Sequence, residues 1–324
     1  MSAAVSTEST PRPSDALFES RLTLVTGKGG VGKSSVSAAM AVAAANQGRR
    51  VLLVELGSRP VMGELLGGQT PKHVPSLVAR DRFPNLWVSH IDPRKALQEY
   101  LIEAIKVKSL AKLATENRVL ARLWQAAPSV DEMAVLTALE RFELARDPGD
   151  ASRPRFDTIV VDLPATGHAK AMLAVPRGLF AMIRVGALAD RAKSVDEMLH
   201  DRTRSAIVIV TLPEELPINE SVQLASSLRN DLELSTAALV INAVLPRIYS
   251  EEERALIDRI ARQLNDSVGH RVLRAATHQS DRQEKQAKQI ALVRDQLDTQ
   301  FVEIAFSPGQ GVGLIEQMAA ALNG

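Results

Sequence analysis

Apolar residues along the chain form short runs that alternate with longer amphipathic or alanine-rich stretches. Several runs are rich in Val, Ile and Leu and lack polar–apolar alternation, which predicts strands that are buried on both faces. Seven strands are predicted, at 22–26, 51–55, 86–90, 158–162, 206–211, 238–242 and 302–306. Helices are predicted at 33–47, 219–232, 250–266, 281–297 and 312–322. This alternation predicts an α/β fold with a doubly wound, mostly parallel sheet and a site at the carboxyl ends of the strands.

Two intervals, about 91–157 and about 168–205, replace the expected short connections with long helical patterns. We predict that they form an α-helical subdomain inserted into one domain that spans 21–324. The preceding residues, 1–20, are rich in Ser, Thr and Pro and have no apolar core, which predicts a disordered tail and not a signal peptide.

The second interval contains a run from Gly178 to Leu188 that is apolar on nearly every side and therefore must be covered. Two interpretations stay open. The helices pack against one another, or they form an apolar groove for a partner or client helix. Met133, Met172 and Met182 would suit such a groove because thioether side chains adapt to varied surfaces, although methionines are also ordinary core residues.

The first predicted strand leads directly into Gly-Lys-Gly-Gly-Val-Gly-Lys-Ser at 27–34. This segment matches the phosphate-loop pattern G-x-x-x-x-G-K-S, in which glycines let backbone N–H groups surround a polyphosphate. Lys33 would reach the β- and γ-phosphates and Ser34 would ligate Mg²⁺, at the N-terminus of an alanine-rich helix. The predicted nucleotide-binding residues of this loop are Gly27, Lys28, Gly29, Gly30, Val31, Gly32, Lys33, Ser34 and Ser35.

The same loop also fits the dinucleotide pattern G-x-G-x-x-G, and Glu55 ends the next strand near the position of a ribose-binding acid. The Lys33–Ser34 pair favours a nucleoside triphosphate, because a dinucleotide loop has no use for a lysine and a hydroxyl there. Asp162 ends a later strand, where an acid near Mg²⁺ is usually found.

Composition excludes several other functions. Lys and Arg number 39 and Asp and Glu number 38, and 3% of residues are aromatic, which argues against a nucleic-acid-binding surface. The chain contains no cysteine, so disulfides and thiolate zinc sites are excluded. The longest apolar stretch is shorter than the roughly 20 residues that cross a bilayer. We therefore expect a cytoplasmic protein that is not an integral membrane protein.

These motifs resemble those of the arsenite-pump ATPases and the tail-anchored-protein targeting ATPases, whose deviant Walker A loop carries a second lysine, here Lys28. Residues 162–168 are similar to the family's second switch, D-T-A-P-T-G-H, and residues 211–214 to its V-T-x-P-E segment. Residues 240–246 resemble its adenine-recognition strand and loop, and residues 127–132 resemble the start of a helix in its client-binding subdomain.

The resemblance implies a SIMIBI-type P-loop NTPase that binds ATP and Mg²⁺ and acts as a homodimer or as a heterodimer with a paralogue. Lys28 would reach the partner's nucleotide, and Asp162 would hold the Mg²⁺ shell through water. Asn242 would contact the adenine edge, with a turn-forming asparagine as the alternative interpretation. A weaker match at 302–310 adds Pro308 to the expected nucleotide-binding residues.

The chain also departs from this family. Gly57 stands where the first switch has the aspartate that orients the attacking water. Glu55 is the candidate replacement as a catalytic residue, but it lies two residues earlier, about 6–7 Å away along a strand. We therefore predict that hydrolysis is slow or depends on a partner. Without cysteine, the chain also lacks the arsenite pump's metalloid ligands and the zinc clasp of eukaryotic targeting dimers.

The leading functional prediction is a dimeric ATPase in which ATP binding and hydrolysis control a groove for a hydrophobic client or a membrane-protein partner. The groove would be built from residues 91–145 and 168–200. One alternative is a nucleotide-sensing scaffold in which hydrolysis is vestigial. The other is the energising subunit of a transporter for an anion other than arsenite.

Overall fold

A parallel seven-stranded sheet organises the chain. The computed structural model describes residues 17–57, 59–105, 129–263 and 268–323. The strands lie in the order β3-β2-β4-β1-β5-β6-β7. They are β1 (Leu22–Gly27), β2 (Val51–Leu56), β3 (Leu86–Ile91), β4 (Thr158–Ala165), β5 (Ser205–Thr211), β6 (Thr236–Val244) and β7 (Gln300–Ala305). The predicted α/β class and parallel sheet are confirmed.

Helices cover both faces of the sheet. They are α1 (Lys33–Asn46), α2 (Met62–Leu65), α3 (Pro93–Ile105), α4 (Val130–Leu144), α5 (Thr166–Met182), α6 (Ala187–His200), α7 (Glu215–Leu232), α8 (Glu251–Gln263), α9 (Val268–Gln296) and α10 (Gly311–Asn323). Successive residues of β1 point to opposite faces: Leu24 belongs to one core cluster and Val25 to the other. This double burial explains why the strands are nearly continuous apolar runs.

The central strand β1 places its carboxyl end between two neighbours that the chain reaches much later. It pairs in parallel with β4 on one side and with β5 on the other. The chain passes through β2 and β3 on one side before it returns for β4, so the order of strands reverses at β1. In open α/β sheets such a reversal opens a crevice at the carboxyl ends of the strands, where ligands bind.

The described chain begins inside the predicted tail. Leu17 and Phe18 are buried, and the hydroxyl of Thr23 donates a 3.1 Å hydrogen bond to the carbonyl of Leu17. The hydroxyl of Ser20 donates to the carbonyl of Arg202. Leu17 and Phe18 therefore pack with the core beside β1, and Ser20 is buried with them. Residues 1–16 lie outside the described part of the chain.

Two pairs of helices fall in the intervals that were predicted to be helical. Within 91–157 lie α3 and α4, and residues 106–128 of this interval are outside the described residues. The interval 168–205 contains all of α6 and all of α5 except its first two residues. Glu140 of α4 is fully buried and forms an ion pair of 2.9 Å with Arg191 of α6. A buried, paired carboxylate thus ties α4 to α6. Among the described residues, no helix is long and apolar enough to cross a membrane.

The apolar run from Gly178 to Leu188 is broken, and part of it is exposed. α5 ends at Met182, and Gly186 takes a positive φ of 98° just before α6. Met182 is 84% exposed and Val185 is 82% exposed. The described part of the chain therefore leaves this stretch uncovered. Of the other methionines considered for a groove, Met133 and Met172 are buried in the core.

The longest helix begins earlier than the sequence predicts. α9 starts at Val268, whereas apolar spacing indicates a start at 281. Between these positions, only Ser280 is buried among the described side chains. The added turns carry little apolar periodicity because they pack on α8 in a helical hairpin and not on the sheet.

Candidate functional site

The segment after β1 is held against the sheet on one side and open on the other. Gly27 has φ of 151°, and a Cβ placed on it would lie 2.1 Å from the carbonyl oxygen of Val210 in β5. At Gly29 and Gly30 a Cβ would meet no described atom within 4 Å. Glycine is therefore required at 27 by close approach to β5. The open side of the loop is where a ligand can approach its backbone.

Lys33 arches back over this loop. Its Nζ donates a 3.1 Å hydrogen bond to the backbone carbonyl of Lys28. Burial lowers the pKa of Lys33, and the nearby negative charge of Asp162 acts in the opposite direction. Lys33 is the first residue of α1, and its ammonium group is thus held beside the positive end of that helix, where anions are favoured. Ser35, also predicted to bind nucleotide, is half-buried in the first turn of α1.

The structure brings together Ser34 and Asp162, the two residues that the sequence predicts to hold Mg²⁺. The Ser34 hydroxyl donates to a carboxylate oxygen of Asp162 at 2.6 Å, and Ser37 donates to the other oxygen at 3.4 Å. Asp162 is 6% exposed, and burial raises its pKa to about 6 against the opposing effects of Ser34 and Lys33. A desolvated carboxylate beside a hydroxyl is an oxygen donor set that suits Mg²⁺, whose charge would offset the cost of burying the anion.

Glu55 lies on the strand next to Asp162 but turns toward its own loop. The two residues are register partners in β2 and β4, and Glu55 is 2% exposed. One carboxylate oxygen accepts a hydrogen bond from the backbone N–H of Val61, immediately before α2. The other has no hydrogen-bond partner among the described residues and lies 3.7 Å from Nδ1 of His90. Burial raises the pKa of Glu55 and lowers that of His90.

Gly57, at the position predicted to correspond to the first switch, offers no side chain. Its φ is 149°, and a Cβ there would meet no described atom within 4 Å. The space is therefore open, but the backbone conformation is one that other residues adopt at a cost. A catalytic role for Glu55 remains a prediction, since its carboxylate is engaged in holding the segment that follows Gly57.

Lys28 makes an ion pair within its own chain. Its Nζ lies 2.6 Å from a carboxylate oxygen of Glu220 in α7. Lys28 and Glu220 are 32% and 39% exposed, so solvent reaches both. An exposed pair of this kind contributes little to stability and exchanges readily. Glu220 therefore holds Lys28 in this position, but the lysine can leave the ion pair at little cost.

Asn242 of β6 is hydrogen-bonded to the loop that follows β1. Its side-chain amide donates a 3.0 Å hydrogen bond to the carbonyl of Val31, and a Cβ on Gly32 would lie 2.5 Å from the same nitrogen. Ala243 follows with φ of 57°, a conformation that is uncommon for alanine and occurs at functional sites. Asn242 therefore touches the phosphate-loop segment directly, a contact that sequence separation conceals.

A cavity of about 470 Å³ opens at the carboxyl ends of β5, β6 and β7. Its walls include Leu212, Ile248, Phe306 and Pro308. Pro308 was expected at the site, whereas Leu212, Ile248 and Phe306 were not. For Leu212, directly after the predicted strand 206–211, and for Phe306, at the end of the predicted strand 302–306, the available signal was their position at the carboxyl end of a strand, where ligands bind. Ile248 carries no such signal.

The strand that carries Asp162 continues directly into the helical region. β4 ends at Ala165, and Thr166 and Gly167 begin α5. Nε2 of His168 lies 3.6 Å from a carboxylate oxygen of Glu132 in the first turn of α4. The segment similar to a second switch therefore contacts α4 one turn after it leaves the sheet.

The parallel sheet and the loop that joins its central strand to a helix, with Lys33, Ser34 and Asp162 around it, define a P-loop nucleoside triphosphatase. A family model described as "Anion-transporting ATPase" matches residues 20–186 and 180–266. The chain belongs to this family, and the ATPase class predicted from its motifs is confirmed at that level.

Several similar proteins are also named ATPases. The chain is 29% identical to ATPase BagA of Mycobacterium tuberculosis over 242 residues, which cover 72% of this chain and 68% of the relative. It is 29% identical to the arsenical pump-driving ATPase of Acidiphilium multivorum over 247 residues, with 70% and 40% covered. The arsenical pump-driving ATPase of Escherichia coli is 29% identical over 215 residues, with 66% and 33% covered. This chain thus spans less than half the length of the two pump-driving relatives.

Proposed function

We propose that this chain is a nucleotide-switched ATPase that binds ATP with Mg²⁺ at the 27–35 loop. The observation that carries the proposal is the 2.6 Å contact between the hydroxyl of Ser34 and the buried carboxylate of Asp162, beside an open glycine loop. In this role Ser34 ligates the metal and Asp162 holds its water shell. Lys33 neutralises charge on the phosphates, and the metal, when bound, supplies further positive charge.

The cavity at the ends of β5, β6 and β7 supports a site for the base. Its apolar walls at Leu212 and Pro308 can cover the faces of a flat ring. Asn242 precedes the cavity-lining Ala243, and its amide nitrogen is already bonded to Val31. No described residue donates to its amide oxygen, which can therefore accept from the amino group of adenine.

We propose that Lys28 changes partner when two protomers close over ATP. In the structure it is held by Glu220, so its charge is already neutralised within the chain. The phosphates of ATP bound to a second protomer carry more negative charge than one carboxylate and would attract the lysine more strongly. The partner subunit is a second copy or a paralogue, and either one supplies a bound nucleotide and a second loop.

Replacing Glu220 with Gln is expected to strengthen dimerisation by about 2- to 5-fold in the presence of a non-hydrolysable ATP analogue. In the variant, Lys28 no longer has to break its exposed ion pair with Glu220 before it reaches the partner's nucleotide. Sedimentation velocity with the analogue measures this, and Lys28→Ala is expected to abolish the analogue-dependent dimer. Glu215→Gln, in the first turn of the same helix, is the control and should match the wild type. Weaker or unchanged association in Glu220→Gln would contradict the exchange.

The exposed end of α5 supports a role for an apolar client. α5 begins at the segment that follows Asp162 and has 17 residues, about 25 Å of helix at 1.5 Å per residue. At its far end Phe180, Met182 and Val185 are exposed. We propose that movement of α5 upon loss of the γ-phosphate changes access to this surface. In this proposal a hydrophobic client or a membrane-protein partner binds to this surface and covers it.

Gly57 favours a second candidate function, a nucleotide-sensing scaffold with vestigial hydrolysis. Position 57 offers no side chain to orient water, and the candidate replacement, Glu55, accepts a hydrogen bond through one carboxylate oxygen from the N–H of Val61. Both candidates bind Mg²⁺–ATP; they differ in turnover.

Measured turnover tests the proposal. Wild-type protein is expected to bind Mg²⁺–ATP and hydrolyse it slowly, and Lys33→Ala is expected to lower turnover by about 100-fold or more, the loss typical when a positioned charge on the reacting group is removed. Lys193→Ala, an exposed lysine of α6 paired with Glu197, is the control and should behave as wild type. Analogue binding without turnover above Lys33→Ala would favour the scaffold. Absence of nucleotide binding would overturn both candidates.

A further inference from the structure

One glutamine of α9 reaches the cavity of about 470 Å³ that we propose for the base. Gln286 is half-buried and lines this cavity together with Leu212 and Pro308. It also lines a neighbouring cavity of about 490 Å³ between α9 and the start of α7. Most of the residues around the base cavity are apolar, so each polar group in its wall has a large influence on which ring can enter.

The side-chain amide of Gln286 has a fixed orientation. Its Oε1 accepts a 2.9 Å hydrogen bond from the backbone N–H of Leu245. Because only the oxygen of an amide can accept from an N–H group, this contact determines which end of the side chain carries the nitrogen. No described residue accepts a hydrogen bond from that nitrogen. Gln286 therefore presents free N–H donors beside the base cavity.

Asn242 has the opposite arrangement. Its Nδ2 donates a 3.0 Å hydrogen bond to the carbonyl of Val31, which leaves its Oδ1 as a free acceptor. The next residue, Ala243, lines the same cavity as Gln286. The two amides, one on β6 and one on α9, thus leave one fixed acceptor and one fixed donor at the same end of the sheet.

We infer that Gln286 determines specificity for adenine, by donating to N1 of the ring while Asn242 accepts from the neighbouring amino group. The inference rests on the proposed function, since it concerns the base of the same nucleotide. Adenine presents a donor and an acceptor side by side on its Watson–Crick edge, and these complement the two amides. Gln286 is thereby assigned a contact with the ligand in addition to its contact with Leu245.

Guanine presents the reverse pattern on this edge. Its O6 is an acceptor and would face Oδ1 of Asn242, and its N1–H is a donor and would face the N–H groups of Gln286. Both contacts would set like groups against each other and would leave them without partners. A site built in this way rejects the wrong base strongly, because desolvated polar groups that stay unpaired are costly.

A guanidinium in the same wall favours a different base, but it is not held in place. Arg282 lines the cavity, and arginine can donate to the O6 and N7 acceptors of guanine. Its side chain is exposed, and it has no ion-pair or hydrogen-bond partner among the described residues. Groups that are already fixed discriminate more strongly, because binding does not have to order them. The fixed amides therefore favour adenine over the mobile cation's preference.

Titration calorimetry of the full-length protein with ADP and with GDP, both in Mg²⁺, tests this inference. We expect wild type to bind ADP about 100-fold or more tightly than GDP. Gln286→Leu removes the donor and should weaken ADP binding by about 10-fold, the loss that one hydrogen bond explains. The affinity for GDP should not fall, since this contact was unfavourable for guanine.

Gln286→Glu reverses the hydrogen-bonding pattern without removing support from the loop. A carboxylate oxygen can still accept from the N–H of Leu245, while the free end becomes an acceptor that suits N1–H of guanine. ADP should bind more weakly and GDP more tightly, so that the two affinities come within about 10-fold of each other. Gln289→Glu places the same charge three residues further along α9, in the wall of the neighbouring cavity, and should keep the wild-type preference.

An altered nucleotide separates contact with the base from support of the loop. In 1-deaza-ADP a carbon replaces N1, and its affinity for wild type should be about 10-fold below that of ADP. Gln286→Leu should bind the two nucleotides equally, because the contact is already lost. Gln283 donates to the carbonyl of Pro246 in the same loop but does not line the base cavity. Gln283→Leu is therefore the matched control and should keep the 10-fold difference.

Several results would overturn the inference and leave the proposed function intact, because ADP still binds in each of them. They are equal affinities of wild type for ADP and GDP, equal affinities of wild type for ADP and 1-deaza-ADP, and an unchanged preference in Gln286→Glu. Loss of the preference in Arg282→Ala but not in Gln286→Leu would likewise overturn it. A wild-type protein that binds no nucleotide would instead overturn the proposed function together with the inference. The melting temperature of each variant shows that any loss does not come from unfolding.

Discussion

Replacing Asp162 with Asn is expected to stabilise the nucleotide-free protein while removing Mg²⁺-dependent turnover. Burial raises the pKa of Asp162 from 3.8 to about 6. Because the folded state binds this proton more tightly than the unfolded chain, ionisation of Asp162 reduces the free energy of unfolding as pH rises between about 4 and 6. The reduction is complete above pH 6. A shift of two units corresponds to about 3 kcal/mol at most, so the variant should gain about 1–3 kcal/mol at pH 7.5.

Denaturant unfolding in EDTA at pH 4.5, 6 and 7.5 measures this effect. Wild type is expected to lose stability across this range relative to Asp162→Asn, and added Mg²⁺ should stabilise wild type alone. Asp157→Asn is the matched control, for which the expected change in stability at neutral pH has the opposite sign. Hydrogen bonds from Arg50 lower the pKa of Asp157, so its ionised form stabilises the fold and its replacement should destabilise the protein at neutral pH. An Asp162→Asn variant less stable than wild type at pH 7.5 would refute the prediction.

Turnover should change in the other direction. Asp162→Asn removes the charge proposed to hold the metal's water shell, and we expect turnover to fall by about 100-fold or more. Isothermal titration with Mg²⁺ and a non-hydrolysable analogue gives a second readout. A gain in stability together with a loss of activity at one residue is the mark of a group placed for function at a cost to folding.

Replacing Gly27 with Ala is expected to prevent folding, while replacing Gly29 with Ala is not. A Cβ at Gly27 would lie 2.1 Å from the carbonyl oxygen of Val210, and the backbone φ of 151° is itself unfavourable for alanine. Neither β1 nor β5 can move without breaking the central ladder. We expect a loss above about 4 kcal/mol, the range of severe backbone and packing disruption.

Gly29→Ala is the control within the same loop. A Cβ at Gly29 meets no described atom within 4 Å and its φ is not in the glycine-favouring region. The variant should keep the wild-type melting temperature but bind the ATP analogue more weakly, because its methyl group occupies the open side of the loop. A Gly27→Ala protein that melts within a few degrees of wild type would show that the strands can separate locally.

The contiguous features of this protein were accessible from the sequence. The strands are apolar enough to be recognised one by one, and the loop at 27–34 carries its glycines, lysine and serine in a single segment. Helix boundaries were harder where packing is local. α9 begins at Val268 because its first turns pair with α8, and such a pairing leaves little apolar periodicity to detect.

Contacts between distant segments were accessible only in part. Ser34 and Asp162 lie 128 positions apart and are in contact, because parallel strands bring their carboxyl ends to one edge of the sheet, and this much the sequence pattern indicates. Their roles at a metal stay a prediction. The pairing of Lys28 with Glu220 could not be foreseen, since it depends on where α7 passes the loop. Nor could the hydrogen bond from Val61 to Glu55, which depends on the course of the turn before α2.

The sequence by itself determined the chemistry of this protein: a phosphate loop with a second lysine, an acid at the end of β4, a glycine at 57 and no cysteine. Tertiary structure alone decided how these groups are used in the resting chain. In the folded chain Lys28 pairs with Glu220, burial raises the pKa of Asp162, and the residues at the end of α5 stay exposed. The reason is physical. Residue type sets what a group can bind, whereas desolvation and pairing depend on neighbours that the fold brings from elsewhere in the chain.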